Sequence, residues 1–154
     1  MSDRPSSEPL GAAFLLVQIG FLGARRFAAR LAPIGLEPRQ FGLLRSIEAV
    51  DGQSQQALSG AIGIHPSKLV GLVDDLEQRG FVERQRSRDD RRANMVSLTV
   101  EGRRVLALAR EAAADHADDL LGSLDQHERD QLAELLDRIA KAHDLRPSTM
   151  PGRP

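Results

Sequence analysis

The side chains with chemistry to offer collect between Ile64 and Thr99. In the run Pro66-Ser67-Lys68-Leu69-Val70-Gly71-Leu72-Val73-Asp74-Asp75-Leu76, the residues Leu69, Leu72, Val73 and Leu76 repeat at three and four positions, so one stripe of a helix faces a core. Ser67, Lys68 and Gly71 fall on the other face near the helix start. Pro66 fits the first helical position, where a missing N–H costs nothing, and Gly80 suits a left-handed stop. His65 falls at the N-cap, where histidine is a poor residue.

Beyond that stop, Val82-Glu83-Arg84-Gln85-Arg86 and the stretch Met95 to Thr99 flank a polar tip, with Val96 and Leu98 pointing one way, and predict a two-stranded hairpin. Arg84, Arg86, Arg88, Arg91 and Arg92 concentrate cations there. A helix with a small polar first turn, followed by an arginine-rich hairpin, is the outline of a winged helix-turn-helix. The helix would enter a major groove and the wing would lie along the backbone or minor groove. Arg84, Arg86 and Arg88 are then expected on phosphates, which position a protein without reading sequence.

Other chemistries find less support. His116, Asp115, Asp118, Asp119 and His127 resemble metal ligands in type, and Asp115 and Asp119 share a helix face. No His-x3-His or comparable pair accompanies them, so a solvated acidic helix is the better expectation. There is no nucleophile elbow, phosphate-binding glycine loop or metalloprotease motif, hence neither an enzyme nor a cofactor is expected. The absence of cysteine excludes disulfides, thiolate metal sites and thiol redox sensing.

A chain of 154 residues is long enough for one domain with a real core. Its net charge of −1 conceals a polarised distribution. Six arginines lie between Arg79 and Arg92 against Glu83, Asp89 and Asp90, while Glu111 to Asp137 holds nine carboxylates and one arginine, Arg129. Such a molecule can turn one side toward DNA. The uncharged run Pro9 to Ala24 is shorter than the roughly 20 apolar residues of a membrane span and contains Gln18 and three glycines. With a polar N-terminus and no signal-peptide pattern, a soluble cytoplasmic protein is expected.

The remaining elements must position the reading stretch. Residues 1–8 form a polar lead expected to be disordered, and residues 144–154, with three prolines, a flexible tail. Leu10 to Leu31 is a helix apolar almost all round, with Phe14, Val17, Phe21, Ala24 and Ala28 on one face. Pro33-Ile34-Gly35 breaks it, and Pro38 opens a helix whose Phe41, Leu43, Leu44 and Ile47 point inward. Asp51-Gly52 is a turn. Ser54 caps the short helix Gln55 to Ile62, the first of the helix-turn-helix. After the hairpin, Thr99 caps a long helix from Gly102 to about Leu121, and Asp125 with Glu128 makes a capping box for a last helix striped by Leu132, Leu135, Leu136 and Ile139. The expected organisation is mainly α with a small β-hairpin wing. A winged helix-turn-helix core at 36–100 is flanked by helical dimerisation segments at 9–35 and 101–143, since one small core leaves their apolar stripes uncovered.

The block from Pro66 to Glu77, then Arg79-Gly80-Phe81-Val82-Glu83-Arg84, resembles the recognition helix and first wing strand of MarR-type regulators. Asp90-Arg91-Arg92-Ala93, Val96-Ser97-Leu98-Thr99 and Gly102 resemble that family's wing tip and strand-to-helix signature, and the likeness runs from about Leu10 to Ala142. The resemblance implies a homodimeric transcription factor, often a repressor, that binds a roughly palindromic double-stranded DNA site and is released by a small aromatic or phenolic ligand. It implies DNA contacts at Gln55, Ser67, Lys68, Gly71, Arg84, Arg86, Arg88, Asp90 and Arg92, with Asp90 orienting Arg92 into a minor groove. Gly71 and Asp75 depart from the larger polar or basic residues usual there, which shifts weight toward DNA shape and the wing. The implied ligand crevice, where the first, second and fifth helices meet the core, draws on Phe14, Gln18, Phe21, Arg25, Phe41 and Arg45; each phenylalanine could equally be core. An architectural DNA protein without a ligand, or a small metal-dependent enzyme on the acidic helix, are the competing readings.

Overall fold

The structure is a computed structural model, and it describes residues 9–50, 52–86 and 94–145. Among the described residues, six helices and three short strands follow one another. They are α1 (Pro9–Leu31), a 3-10 turn (Ala32–Ile34), α2 (Pro38–Ala49), β1 (Gln53–Ser54), α3 (Gln55–Ile62), α4 (Pro66–Gln78), β2 (Val82–Arg86), β3 (Asn94–Leu98), α5 (Val100–Leu120) and α6 (Gln126–Ala142). The strands form one antiparallel sheet in the order β1-β3-β2, with Val82 opposite Leu98, Arg84 opposite Val96 and Gln53 also opposite Val96. The mainly helical architecture with a small wing is as expected. The strand β1 is a correction, because the sequence showed only a turn and a cap there. Two residues carry no periodicity, and they become a strand only because β3 offers them a free edge.

One core unites α2 to α5 with the C-terminal end of α1. Leu43, Leu44 and Ile47 of α2, Leu58 and Ile62 of α3, Leu69, Val73 and Leu76 of α4, Val82, Val96 and Leu98 of the sheet, and Val105, Leu106 and Ala109 of α5 are all buried. Phe27 and Leu31 are the contribution of α1. The caps form as the sequence spells them. Ser54 Oγ accepts from Ala57 N, Thr99 Oγ1 from Gly102 N, and Asp125 and Glu128 exchange both bonds of a capping box.

At the foot of the wing the chain has no room for a side chain. A Cβ on Gly102 would stand 1.8 Å from the carbonyl oxygen of Phe81. Thr99 fixes the same joint, its backbone N–H donating to Phe81 O and its hydroxyl to Gly80 O. The first turn of α5 is thereby pressed onto the Gly80–Phe81 link between α4 and β2.

Two faces remain uncovered. In α1, Phe14 and Phe21 are 63% and 73% exposed, and Leu15, Val17 and Ile19 are exposed with them. In α6 no residue is buried, and Leu135, Leu136 and Ile139 lie open. By length and mean hydropathy alone, Gly11–Ile34 is long and apolar enough to cross a membrane. Its second half, however, carries Arg25, Arg26 and Arg30 and anchors Phe27 and Leu31 in the core.

Candidate nucleic-acid interface

The turn between α3 and α4 is built from Ser59, Gly63 and Ile64. Gly63 takes a left-handed φ of 67°, its N–H donates to Ser59 O, and the buried Ser59 hydroxyl donates to Ile64 O at 2.6 Å. That closes the helix-turn-helix and sends α4 away with Leu69, Val73 and Leu76 inward. Ser67, Lys68 and Gly71 are consequently exposed together on the first two turns. A Cβ at Gly71 would meet nothing within 4 Å, so the bare backbone there serves no packing need. His65 does cap the helix, its imidazole Nδ1 accepting from Ser67 N.

The C-terminal half of α4 is held from two sides. On one, Asp75 accepts from Nε2 of the buried Gln40 at 2.7 Å, and Gln40 in turn closes the capping box at Glu37 N. Arg79 reaches the carbonyl of Gly35 and covers the Phe81 ring, 4.7 Å from its centroid. On the other, the Arg84 guanidinium donates to Asp74, Glu77 and Gln55. Burial disfavours its charge, but its hydrogen bonds to Asp74 and Glu77, reinforced by their charges, outweigh that and raise its pKa above the ordinary arginine value. The side chain is 19% exposed.

This geometry sorts the residues expected on DNA. Ser67, Lys68 and Gly71 share an open surface, and Arg86 is exposed at the end of β2. Arg84 is turned inward onto carboxylates, so its placement differs from that of a free phosphate contact. The period-two alternation was the available signal, since Arg84 shares a strand face with the buried Val82. Gln55 faces the same joint, its Oε1 accepting from Arg84 and its Nε2 buried without a partner. Arg88, Asp90 and Arg92 lie outside the described residues.

Of the crevice residues, Phe41 is buried and Arg45 lies over its ring, 5.7 Å from the centroid. Phe14, Gln18, Phe21 and Arg25 are exposed along α1. The residue sequence reasoning placed elsewhere is His116. Its ring stacks on Phe27, which packs edge-on against Phe41, so α1, α2 and α5 meet in an aromatic corner. Burial, then the charges of Arg30 and Arg26, depress the His116 pKa, and its Nδ1 has no partner. In the acidic segment Asp118 pairs with Arg129 and Asp119 with Arg30. Among the described residues no group of three metal-binding side chains is disposed to hold an ion.

Comparison with known proteins agrees with the geometry. The model of the MarR family matches residues 36–93. A putative transcriptional regulatory protein for the hcr operon of Thauera aromatica is 31% identical over 127 residues, covering 82% of this chain and 76% of that protein. The solved transcriptional repressor CouR, bound to a 23-mer DNA duplex, superposes with a TM-score of 0.79 at 33% identity, over 90% of this chain and 99% of that one. CouR from Rhodococcus jostii RHA1 bound to p-coumaroyl-CoA superposes with a TM-score of 0.71 at 30% identity, over 90% and 96%.

Proposed function

The chain belongs to the MarR family of transcriptional regulators, and from that premise we propose that it is a cytoplasmic, non-enzymatic repressor that binds a pseudo-palindromic operator as a homodimer and is released by a small aromatic ligand. One observation carries the reading: α4 exposes Ser67, Lys68 and Gly71 on its first two turns while Asp74, Asp75 and Arg79 tie its other end to the protein. A helix anchored at its C-terminal half and open at its start is shaped to enter a major groove.

The open faces of α1 and α6 supply the second half of the proposal. Phe14, Phe21, Leu135 and Ile139 are too apolar to stay in water, and a two-fold partner buries both helices at once. The dimer sets the two recognition helices about one helical turn of DNA apart, ~34 Å. A ligand wedged near the corner of Phe27, Phe41, Arg45 and His116 would bias that spacing through α1 and α5. The cations Arg26, Arg30 and Arg45 around it favour an aromatic acid.

Solution mass tests the assembly. The full chain should have twice the mass of one chain and bind a duplex as two chains per site, whereas Leu135→Glu with Ile139→Glu should be monomeric and bind only weakly. A double variant that stays dimeric with full affinity would refute the assignment.

A further inference from the structure

Ser67 Oγ lies 2.8 Å from His65 Nδ1, and the Ser67 backbone N–H points at the same nitrogen from 3.3 Å. A ring nitrogen that receives a backbone N–H has its lone pair there and no proton, so the neutral ring carries its proton on Nε2. The shorter contact can then be filled in one way: the Ser67 hydroxyl donates its hydrogen to Nδ1, and the N–H shares the same lone pair at longer range. Only lone pairs remain on Oγ. Ser67 is exposed on the open first turn of α4, so those lone pairs are open to a partner.

We propose that His65 is a specificity-determining residue, one that takes the hydroxyl proton of Ser67 and makes Ser67 an acceptor-only reader of base edges. An unrestrained serine rotates its hydroxyl to suit either a donor or an acceptor, which makes it a poor discriminator. Held by His65, Ser67 matches the amino groups of adenine N6 and cytosine N4 in the major groove. It mismatches guanine O6, thymine O4 and phosphate oxygens, all of which need a donor. The poor N-cap of the sequence thus gains a reason: its ring nitrogen serves the exposed hydroxyl of Ser67 as well as the helix N–H. The inference rests on the reading of α4 as the DNA-facing helix.

Selection of bound sequences from a random duplex pool, with full-length wild type, Ser67→Ala, His65→Ala, His65→Gly and His65→Asn, tests it. Comparing wild type with Ser67→Ala should reveal symmetric positions where a preference for adenine or cytosine is lost. His65→Ala should relax the same positions, admitting guanine or thymine with at least about a five-fold fall in the discrimination ratio. His65→Gly, which keeps most of the cap strength, should relax them equally and so separates specificity from helix stability. His65→Asn should restore the preference, because its side-chain oxygen accepts from both Ser67 groups. If Ser67→Ala loses a guanine or thymine preference, or none, or if His65→Ala and His65→Gly leave the preference intact, the inference is overturned. Should wild type enrich no sequence at all, the functional reading falls with it, a failure that the variants' behaviour on a selected site cannot produce.

Discussion

The carboxylate of Asp74 and the guanidinium of Arg84 meet at 2.5 Å across the joint between recognition helix and wing strand, and Glu77 closes the same guanidinium from the next turn. A cation that the sequence assigns to phosphates is therefore spent inside the protein. Arg84 shares a strand face with the buried Val82, and its head pairs with two carboxylates of α4.

Arg84→Gln should therefore behave unlike the loss of a phosphate contact. We expect it to lower stability by roughly 1.5–3 kcal/mol, the range for hydrogen bonds to charged groups. It should weaken specific duplex binding while leaving the salt dependence of affinity nearly unchanged. Lys68→Gln and Arg92→Ala should instead reduce the magnitude of the salt slope by about one each. Asp90→Ala should weaken binding although it removes a negative charge, if Asp90 orients Arg92. Affinity measured across a salt series separates these cases. An Arg84→Gln slope reduced by a full unit would return Arg84 to the phosphate contacts, and tighter binding by Asp90→Ala would reject its orienting role.

Gly102→Ala should be among the most damaging single-methyl additions in the chain. The new Cβ would collide with a backbone carbonyl, that of Phe81, which no rotamer can relieve. The joint of Gly80, Phe81 and Thr99 must shift instead, at a cost of roughly 1–3 kcal/mol. Chemical denaturation of the two proteins measures it. Alanine at Gly71, with open space around it, is the control and should be near neutral or slightly stabilising. A Gly102→Ala protein as stable as wild type would contradict the close approach.

The pH dependence of stability follows from His116. Its folded pKa lies below the ordinary 6.5, so the unfolded chain binds this proton more readily than the folded one. Stability from this site is complete above pH 6.5 and is lost as pH falls through the depressed folded value. The thermal midpoint should drop on acidification from pH 6.5 down to that folded value. His116→Phe keeps the stack on Phe27 without a titrating group and should flatten this part of the profile. An unchanged profile would show that other groups govern it.

Much of this molecule is legible before folding. The stripe of Leu69, Val73 and Leu76, the caps at Ser54, Thr99 and Asp125, and the stop at Gly80 each follow from spacing and side-chain chemistry within a few residues. What escapes is set by distant partners. Asp75 looks like a lost basic reader until Gln40, 35 residues away, is seen to need its carboxylate. β1 exists only through β3, and the inward turn of Arg84 depends on carboxylates of α4. His116 reads as one more polar residue of an acidic helix until Phe27 of α1 lies against it. The open faces of α1 and α6 are the plainest case, since a helix stripe tells that something packs there and not what.

The proposed function has two copies present their recognition helices to successive major grooves. Its most direct test is a duplex selection followed by a change of spacing. Sequences enriched from a random pool should be inverted repeats whose half-sites are centred about 10–10.5 base pairs apart. Inserting about 5 base pairs, half a helical turn, turns the half-sites to opposite sides of the duplex and should reduce affinity to the non-specific level. Enrichment of a single unrepeated half-site, or an affinity indifferent to the insertion, would contradict the account.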